Sequence, residues 1–206
     1  VMRDQRDGHV TVGKVPTTPQ DPEAGVLNAV DAVLSTDEIA RCSHFLHGTT
    51  VGLNALIERR GATVGLITTT GFRDVLEIGR GDRPDPYDLR PLPKDPLVPR
   101  RRRMEIQERI SARGTVVRPL DLTLVPSIVE QFAAESVDAV AIVLINSYAN
   151  PEHEVQLEAE LRRCGFTGDI SLSYRVSGEY REYERTTTTV IDAFVRHRMG
   201  PYLRKL

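Results

Sequence analysis

The sequence predicts an α/β fold, and three features carry that expectation. Residues 139–145 form an unbroken seven-residue apolar run, as expected of a strand buried on both faces. Segments 21–34, 50–60, 121–135 and 150–165 repeat apolar residues at helical spacing. Strand-like and helical stretches also alternate along the chain, the pattern of parallel strands joined by crossover helices.

Taken in order, "GHVTVGKV" (8–15) has strand composition and reads as the last strand of a sheet whose beginning lies upstream. In "DPEAGVLNAVDAVL" (21–34), Asp21 is placed to cap a helix and Pro22 suits its first turn, with Val26/Leu27, Val30 and Val33/Leu34 on one face. "SHFL" (43–46) reads as a strand. A helix from about Thr50 to Arg60 follows, with Leu53, Leu56 and Ile57 on one face and Gly61 placed to stop it. "TVGLIT" (63–68) is the next strand, which would close a βαβ unit.

"GFRDVLEIG" (71–79) predicts a short helix, and then the composition shifts. The loop 80–100 holds six of the 13 prolines, which excludes regular helix and marks a functional loop or linker. Alternation returns at "RRRMEIQERI" (101–110), and with "SARGTVVRPL" it predicts a hairpin over 101–118. "DLTLVPSIVEQFAAE" (121–135) is helical if Pro126 lies in its first turn, with Val125, Ile128, Val129 and Phe132 facing inward. Strand 137–148 is followed by helix 150–165, where Asn150 caps, Pro151 takes the first position, and Leu157 and Leu161 face inward. "DISLSYRV" (169–176) supplies a last strand, and 179–206 is mostly helix.

Composition narrows the function classes. The 206 residues, 40% hydrophobic and 27% charged, suffice for one sizeable core or a domain with a smaller lobe. A formal net charge of -2 gives no basic field for nucleic acid. No apolar stretch approaches the roughly 20 residues of a membrane span, and the N-terminus lacks a secretion-signal layout. Cys42 and Cys164 have neither metal nor disulfide-scaffold spacing. A soluble cytoplasmic protein is expected.

The strand-to-helix junction "LHGTTVGLNALIERRG" (46–61) is the first candidate site. Gly48 permits close backbone approach. Thr49 and Thr50 offer hydroxyls beside the open N–H groups of a first helical turn, which suits a phosphate or carboxylate. His47 could donate a hydrogen bond or proton there, and Asn54, one turn on, could face the same site. Read locally, the same residues also describe an ordinary threonine N-cap and a structural histidine. His44 and His47 would point to opposite faces of a strand, and single histidines at 9, 153 and 197 lack metal-site spacing, so no protein metal site is expected.

In the proline-rich loop, Arg80, Asp82 and Arg83 suit an anionic substrate clamp or exposed ion pairs. "RRRR" (100–103) reads as a charged edge that deters strand addition. In "EYREYERTTTT", Glu179, Arg181, Glu182 and Arg185 have ion-pair spacing, and Tyr180 and Tyr183 can pack against a neighbouring layer. There is no Walker A, GxGxxG or GxSxG motif.

The ordered series "HGTTVGLNALIERRGATVGLITTTGFRDVLEIGR", "RPDPYDL", "PLVPR…ERI…G", "INSYANPEHE" and "REYERTTTTVIDAF" resembles the hydantoinase A/5-oxoprolinase family from about Val15 to Leu203. The resemblance implies a fold related to part of the actin/sugar-kinase-like (ribonuclease H-like) ATPases, with a mixed sheet and helices. It divides the chain into an N-terminal region, 1–178, and the start of a following core domain, 179–206.

The activity it implies is ATP-dependent hydrolysis of small cyclic amides (hydantoins, 5-oxoproline) by phosphoryl activation of the carbonyl, with ATP and Mg2+ as cofactors. A hydantoinase B-type subunit or domain and an oligomeric assembly are the implied partners. The ATP-using subunit of an acetone- or acetophenone-type carboxylase is the alternative within the family, and a non-catalytic binding or assembly module is the alternative outside it. The resemblance strengthens His47 and Thr50 as catalytic candidates, Gly48, Thr49 and Thr50 as cofactor-binding candidates, and Asn54, Arg80, Asp82 and Arg83 as substrate-side candidates. The two glycine-rich, Asp-containing phosphate loops expected of such ATPases are not among these residues, so the chain reads as the front region of a longer subunit. Asp192 stands where many relatives are expected to carry Asn.

Overall fold

A computed structural model describes residues 1–18, 21–81, 87 and 95–206. Asp82 and Arg83, with most of the proline-rich loop, lie outside the described residues. The chain forms two compact units: Val1–Val51 with Arg198–Leu206, and Gly52–His197.

The second unit is an α/β layer structure. Strands β3 (Val64–Thr69), β4 (Arg103–Ile106), β7 (Ala139–Val143) and β8 (Asp169–Leu172) form a wholly parallel sheet in the order β4-β3-β7-β8. Every residue of β3 and β7 is buried, so the apolar run at 139–145 is the two-faced central strand its composition predicts. Alternation along β7 feeds two cores. Val140, Ile142 and Leu144 join Val125, Ile128 and Phe132 of α5 (Val125–Ala134) and Leu157 and Leu161 of α6 (Glu152–Arg163). Ala139, Ala141 and Val143 pack instead with Leu76 of α4 (Val75–Ile78) and with Val190, Ala193 and Phe194 of α8 (Glu182–Lys205).

Several expectations hold at residue level. Pro126 lies in the first turn of α5; the Asn150 side chain accepts from the Glu152 amide at 3.0 Å, with Pro151 one place ahead of the first residue of α6 rather than in it. The region 169–176 is strand only to Leu172; α7 (Ser173–Val176) is a single helical turn.

Other expectations are corrected. The hairpin spans β5 (Arg109–Ile110) and β6 (Val116–Arg118), whereas β4 pairs in parallel with β3. Alternation cannot tell these apart, because it marks a strand without naming the neighbour that the strand pairs with. The mixed sheet therefore resolves into one parallel sheet and separate antiparallel pairs. Gly61 does not end α3 (Val51–Ile57); Arg59, at φ 55°, makes the left-handed stop. Gly61 is needed because a Cβ there would stand 2.5 Å from the Phe194 carbonyl oxygen. Of the predicted stripe in α3 only Leu56 packs against a core, beside buried Ala55, while Leu53 and Ile57 are exposed.

The arginine run is a set of clasps, not a bare charged edge. Arg100 pairs with Asp74 at 3.0 Å, Arg101 and Arg102 reach Glu135 at 2.8 and 3.2 Å, and buried Arg103 pairs with Glu77 at 2.8 Å. Tyr180 is 65% exposed and packs on no layer, whereas Tyr183 is half-buried.

The first unit holds β1 (Met2–Arg3) paired antiparallel with β2 (Val10–Thr11), then α1 (Pro22–Asp31), α2 (Thr36–Ala40) and the last turns of α8. The strand expected over 8–15 is thus two residues long, paired with its own upstream neighbour. Asp21 makes no side-chain cap on α1. Helix α2, not anticipated, starts with a capping box of Ser35 and Glu38. Residues 43–46 form no strand, and none of the described strands pairs with them. Without that strand the expected βαβ unit over 43–68 does not form. Among this unit's described residues only Glu23 and Tyr202 are buried.

Candidate functional site

In open parallel sheets, ligands bind outside the carboxyl ends of the strands. At that end of the second unit, the structure gathers residues from three separated stretches. Thr69, the last residue of β3, donates to Glu108 Oε1 and accepts from the Ile145 amide at 2.9 Å. The other Glu108 oxygen meets His153 Nδ1 at 2.7 Å, and both side chains are buried.

Beside this chain lies a second group. Glu154 accepts from the Leu144 amide at 3.0 Å, from Ser173 Oγ at 2.5 Å and from the Tyr174 amide at 3.2 Å. Arg185 donates to Ser173 Oγ at 2.6 Å, to the Leu144 carbonyl at 2.9 Å, to Ser147 Oγ and to Glu182. Its guanidinium carbon also lies 5.8 Å from the Tyr148 ring centroid. Burial pushes the Glu154 carboxyl above its usual value, opposed by the Ser173 and Leu144 hydrogen bonds that favour its charged form.

A fully buried Glu–Arg pair is tolerated only when the remaining donors and acceptors are met. Here hydroxyls and backbone groups meet nearly all of them; the Arg185 Nε alone in this cluster finds no partner among the described residues. The cluster ties the carboxyl ends of β7 and β8 to the starts of α6 and α8. It fixes geometry and offers no exposed group to a ligand.

The sequence-predicted residues lie elsewhere. His47, Gly48, Thr49 and Thr50 occupy one exposed turn of the first unit. His47 Nε2 is hydrogen-bonded to the Tyr202 hydroxyl, and its ring stacks with Phe45 at 6.3 Å between centroids. Thr49 Oγ1 accepts from the Val51 amide at 3.2 Å, at the start of the seven-residue helix α3. Asn54 and Arg80 belong to the second unit. Asn54 is exposed in α3, and Arg80 pairs with Glu184 at 2.7 Å, holding that carboxyl below its usual range. The four turn residues are therefore together by sequence adjacency.

The buried cluster was missed by residue-level reading. Its signal lay in the quoted stretches themselves: Glu108 in "ERI", Ser147, His153 and Glu154 in "INSYANPEHE", and Arg185 in "REYERTTTT". Charged residues in strand-end and helix-start positions of an apolar domain are candidates for burial as a pair.

A parallel-sheet α/β unit with a buried ionic cluster at its carboxyl edge defines the class of domain. The chain belongs to the hydantoinase/oxoprolinase N-terminal region family, whose model matches residues 1–165. It is 37% identical to the caprolactamase subunit alpha of Pseudomonas jessenii, over 97% of this chain and 30% of that protein. To the acetophenone carboxylase gamma subunit of Aromatoleum aromaticum it is 35% identical, over 94% of this chain and 29% of that protein. The crystal structure of the ATP-dependent caprolactamase from Pseudomonas jessenii superposes with a TM-score of 0.81 at 37% identity, covering 98% of this chain and 30% of that one. The chain thus spans about 30% of the length of such relatives.

Among the described residues no helix is long and apolar enough to cross a membrane.

Proposed function

We propose that this chain contributes the N-terminal part of an ATP-dependent enzyme that opens small cyclic amides. The observation that carries this reading is the likeness, over 98% of the chain, to a solved ATP-dependent caprolactamase. ATP supplies the driving force, since a lactam carbon is a poor electrophile until its oxygen is phosphorylated. Water would then add to that carbon, the ring C–N bond would break with the nitrogen leaving as the amine, and a second water would hydrolyse the resulting acyl phosphate to carboxylate and phosphate. The actin/sugar-kinase-like architecture, the division at residue 178, a B-type partner, an oligomeric assembly and a cytoplasmic location belong to the same proposal.

Within this chain, the turn His47–Thr50 is assigned the phosphate-side role, with His47 and Thr50 acting on the reacting groups and Gly48, Thr49 and Thr50 facing ATP. Gly48 supports this. Its φ is not positive and nothing lies within 4 Å of where its Cβ would be, so the fold makes no demand for glycine there. An approaching ligand is a reason for one. Asn54, Arg80, Asp82 and Arg83 are assigned to the substrate side. Among the described residues no three His, Cys, Asp or Glu side chains are grouped to hold a metal.

In the complete enzyme, His47→Ala and Thr50→Ala are each expected to lower lactam-dependent ATP hydrolysis roughly tenfold or more, about 1.4 kcal/mol of transition-state stabilisation. Unchanged turnover in both variants overturns the assignment. The 35% identity to an acetophenone carboxylase subunit favours a second reading, an ATP-using carboxylase subunit. Bicarbonate-dependent ATP turnover with a ketone, absent with lactams, would select it.

A further inference from the structure

The four threonines of α8 differ in what their hydroxyls do. Thr186 and Thr189 donate back to the carbonyls of Glu182 and Arg185 at 2.6 and 2.7 Å, the usual way a helix absorbs a buried threonine. Thr188 is exposed. The Thr187 hydroxyl is shielded from solvent yet makes no hydrogen bond to any described residue. A buried hydroxyl left unpaired is destabilising, and such a group calls for a reason.

Thr187 lines a cavity of about 200 Å³, with Leu76, Pro96, Leu97, Tyr183 and Val190 among its walls. That is below the roughly 300–1,000 Å³ of drug-sized sites and suits a small ring. The lining is largely apolar. Its one carboxylate, Asp95, has a 91% exposed side chain and is met by Arg59, which donates to the Asp95 carbonyl at 2.9 Å. Among the described residues that line it none is a cation.

We propose that this cavity seats an uncharged lactam, the Thr187 hydroxyl donating to the ring carbonyl oxygen and the methylene body lying against Leu97 and Val190. The inference rests on the cyclic-amide reading above and narrows it: the apolar walls at Leu76, Leu97 and Val190 favour a methylene ring over one that carries a carboxylate, such as 5-oxoproline.

The test uses the complete enzyme with ε-caprolactam and 5-oxoproline as probes, comparing wild type, Thr187→Val and the exposed control Thr188→Val. Calorimetry reads binding, and steady-state ATP hydrolysis reads kcat and KM separately. Thr187→Val is expected to weaken caprolactam binding and raise its KM about tenfold, the effect of one good hydrogen bond, with kcat changed less. Thr188→Val is expected to match wild type, and 5-oxoproline to bind wild type at least tenfold more weakly than caprolactam. A melting temperature in Thr187→Val no lower than that of wild type verifies that the variant folds. Equal caprolactam affinity in wild type and Thr187→Val, no caprolactam binding at all, or a preference for 5-oxoproline overturns the inference. Lactam binding that depends on Thr187, in an enzyme whose ATP hydrolysis ignores lactam, would instead uphold the cavity and overturn the broader reading.

Discussion

Glu154 and Arg185 face each other at 3.9 Å, both side chains wholly excluded from solvent, and the Ser173 hydroxyl bridges them. Ser173 accepts from the guanidinium and donates to the carboxylate, so the α7 turn is held between two opposite charges. Removing either charge leaves the other buried without its complement. Arg185→Met and Glu154→Leu are each expected to cost about 3–5 kcal/mol, measured by urea unfolding. The double variant should lose clearly less than the sum. Strict additivity would mean that the two charges do not depend on one another.

The arginine clasps at the edge of the sheet make an acid-sensitive element. Hydrogen bonding from Arg100 holds the Asp74 carboxyl below its usual value, and Arg101, aided by Arg102, does the same for Glu135. A carboxyl whose native pKa is lowered contributes stability that is present above its unfolded value, about 3.9 for Asp and 4.3 for Glu. That contribution is intact above about pH 5 and drains as pH falls through the lowered native values. Unfolding midpoints at pH 7, 5 and 3.5 should therefore converge for wild type and Glu135→Gln as the medium becomes acidic. A constant gap across that range would rule the clasp out as the cause.

Gly61→Ala tests a close approach. The added methyl would meet both the Phe194 carbonyl oxygen and its ring at about 2.5 Å. Overpacking of this kind typically costs 1–3 kcal/mol. Thermal unfolding should register the loss as a lower midpoint, and an unchanged midpoint would show that α8 yields freely.

Two threonines one turn apart or less should respond with opposite sign. Thr187→Val deletes a buried hydroxyl with no hydrogen-bond partner among the described residues and is expected to be neutral or stabilising by about 1 kcal/mol. Thr189→Val deletes a bonded one, the Thr189–Arg185 contact at 2.7 Å, and is expected to lose about 0.5–1.5 kcal/mol. Equal losses in both variants would mean that the Thr187 hydroxyl has a partner after all.

Much of the second unit was legible before its structure. The apolar run 139–145, the Phe132 stripe and the Asn150 start are local signals, and local physics decides them. What failed was pairing. Alternation at 103–118 announces strands without saying which neighbour each one finds, so β4 was joined to the wrong partner. The segment 43–46 had strand composition, but none of the described strands pairs with it. For the site, the turn at His47 was readable as a turn and the ordered motifs pointed to the family. The Glu154–Arg185 contact was invisible, because spacing along one helix or strand says nothing about charges brought together from α6 and α8.

Strand β7 has one further consequence. Because its alternate residues belong to different cores, neither core can come apart without exposing the strand that the other depends on. The Gly52–His197 region should therefore melt as one cooperative block, its calorimetric and van't Hoff enthalpies agreeing. Amide hydrogens at Ala141 and Ile142 should exchange only when that whole block opens.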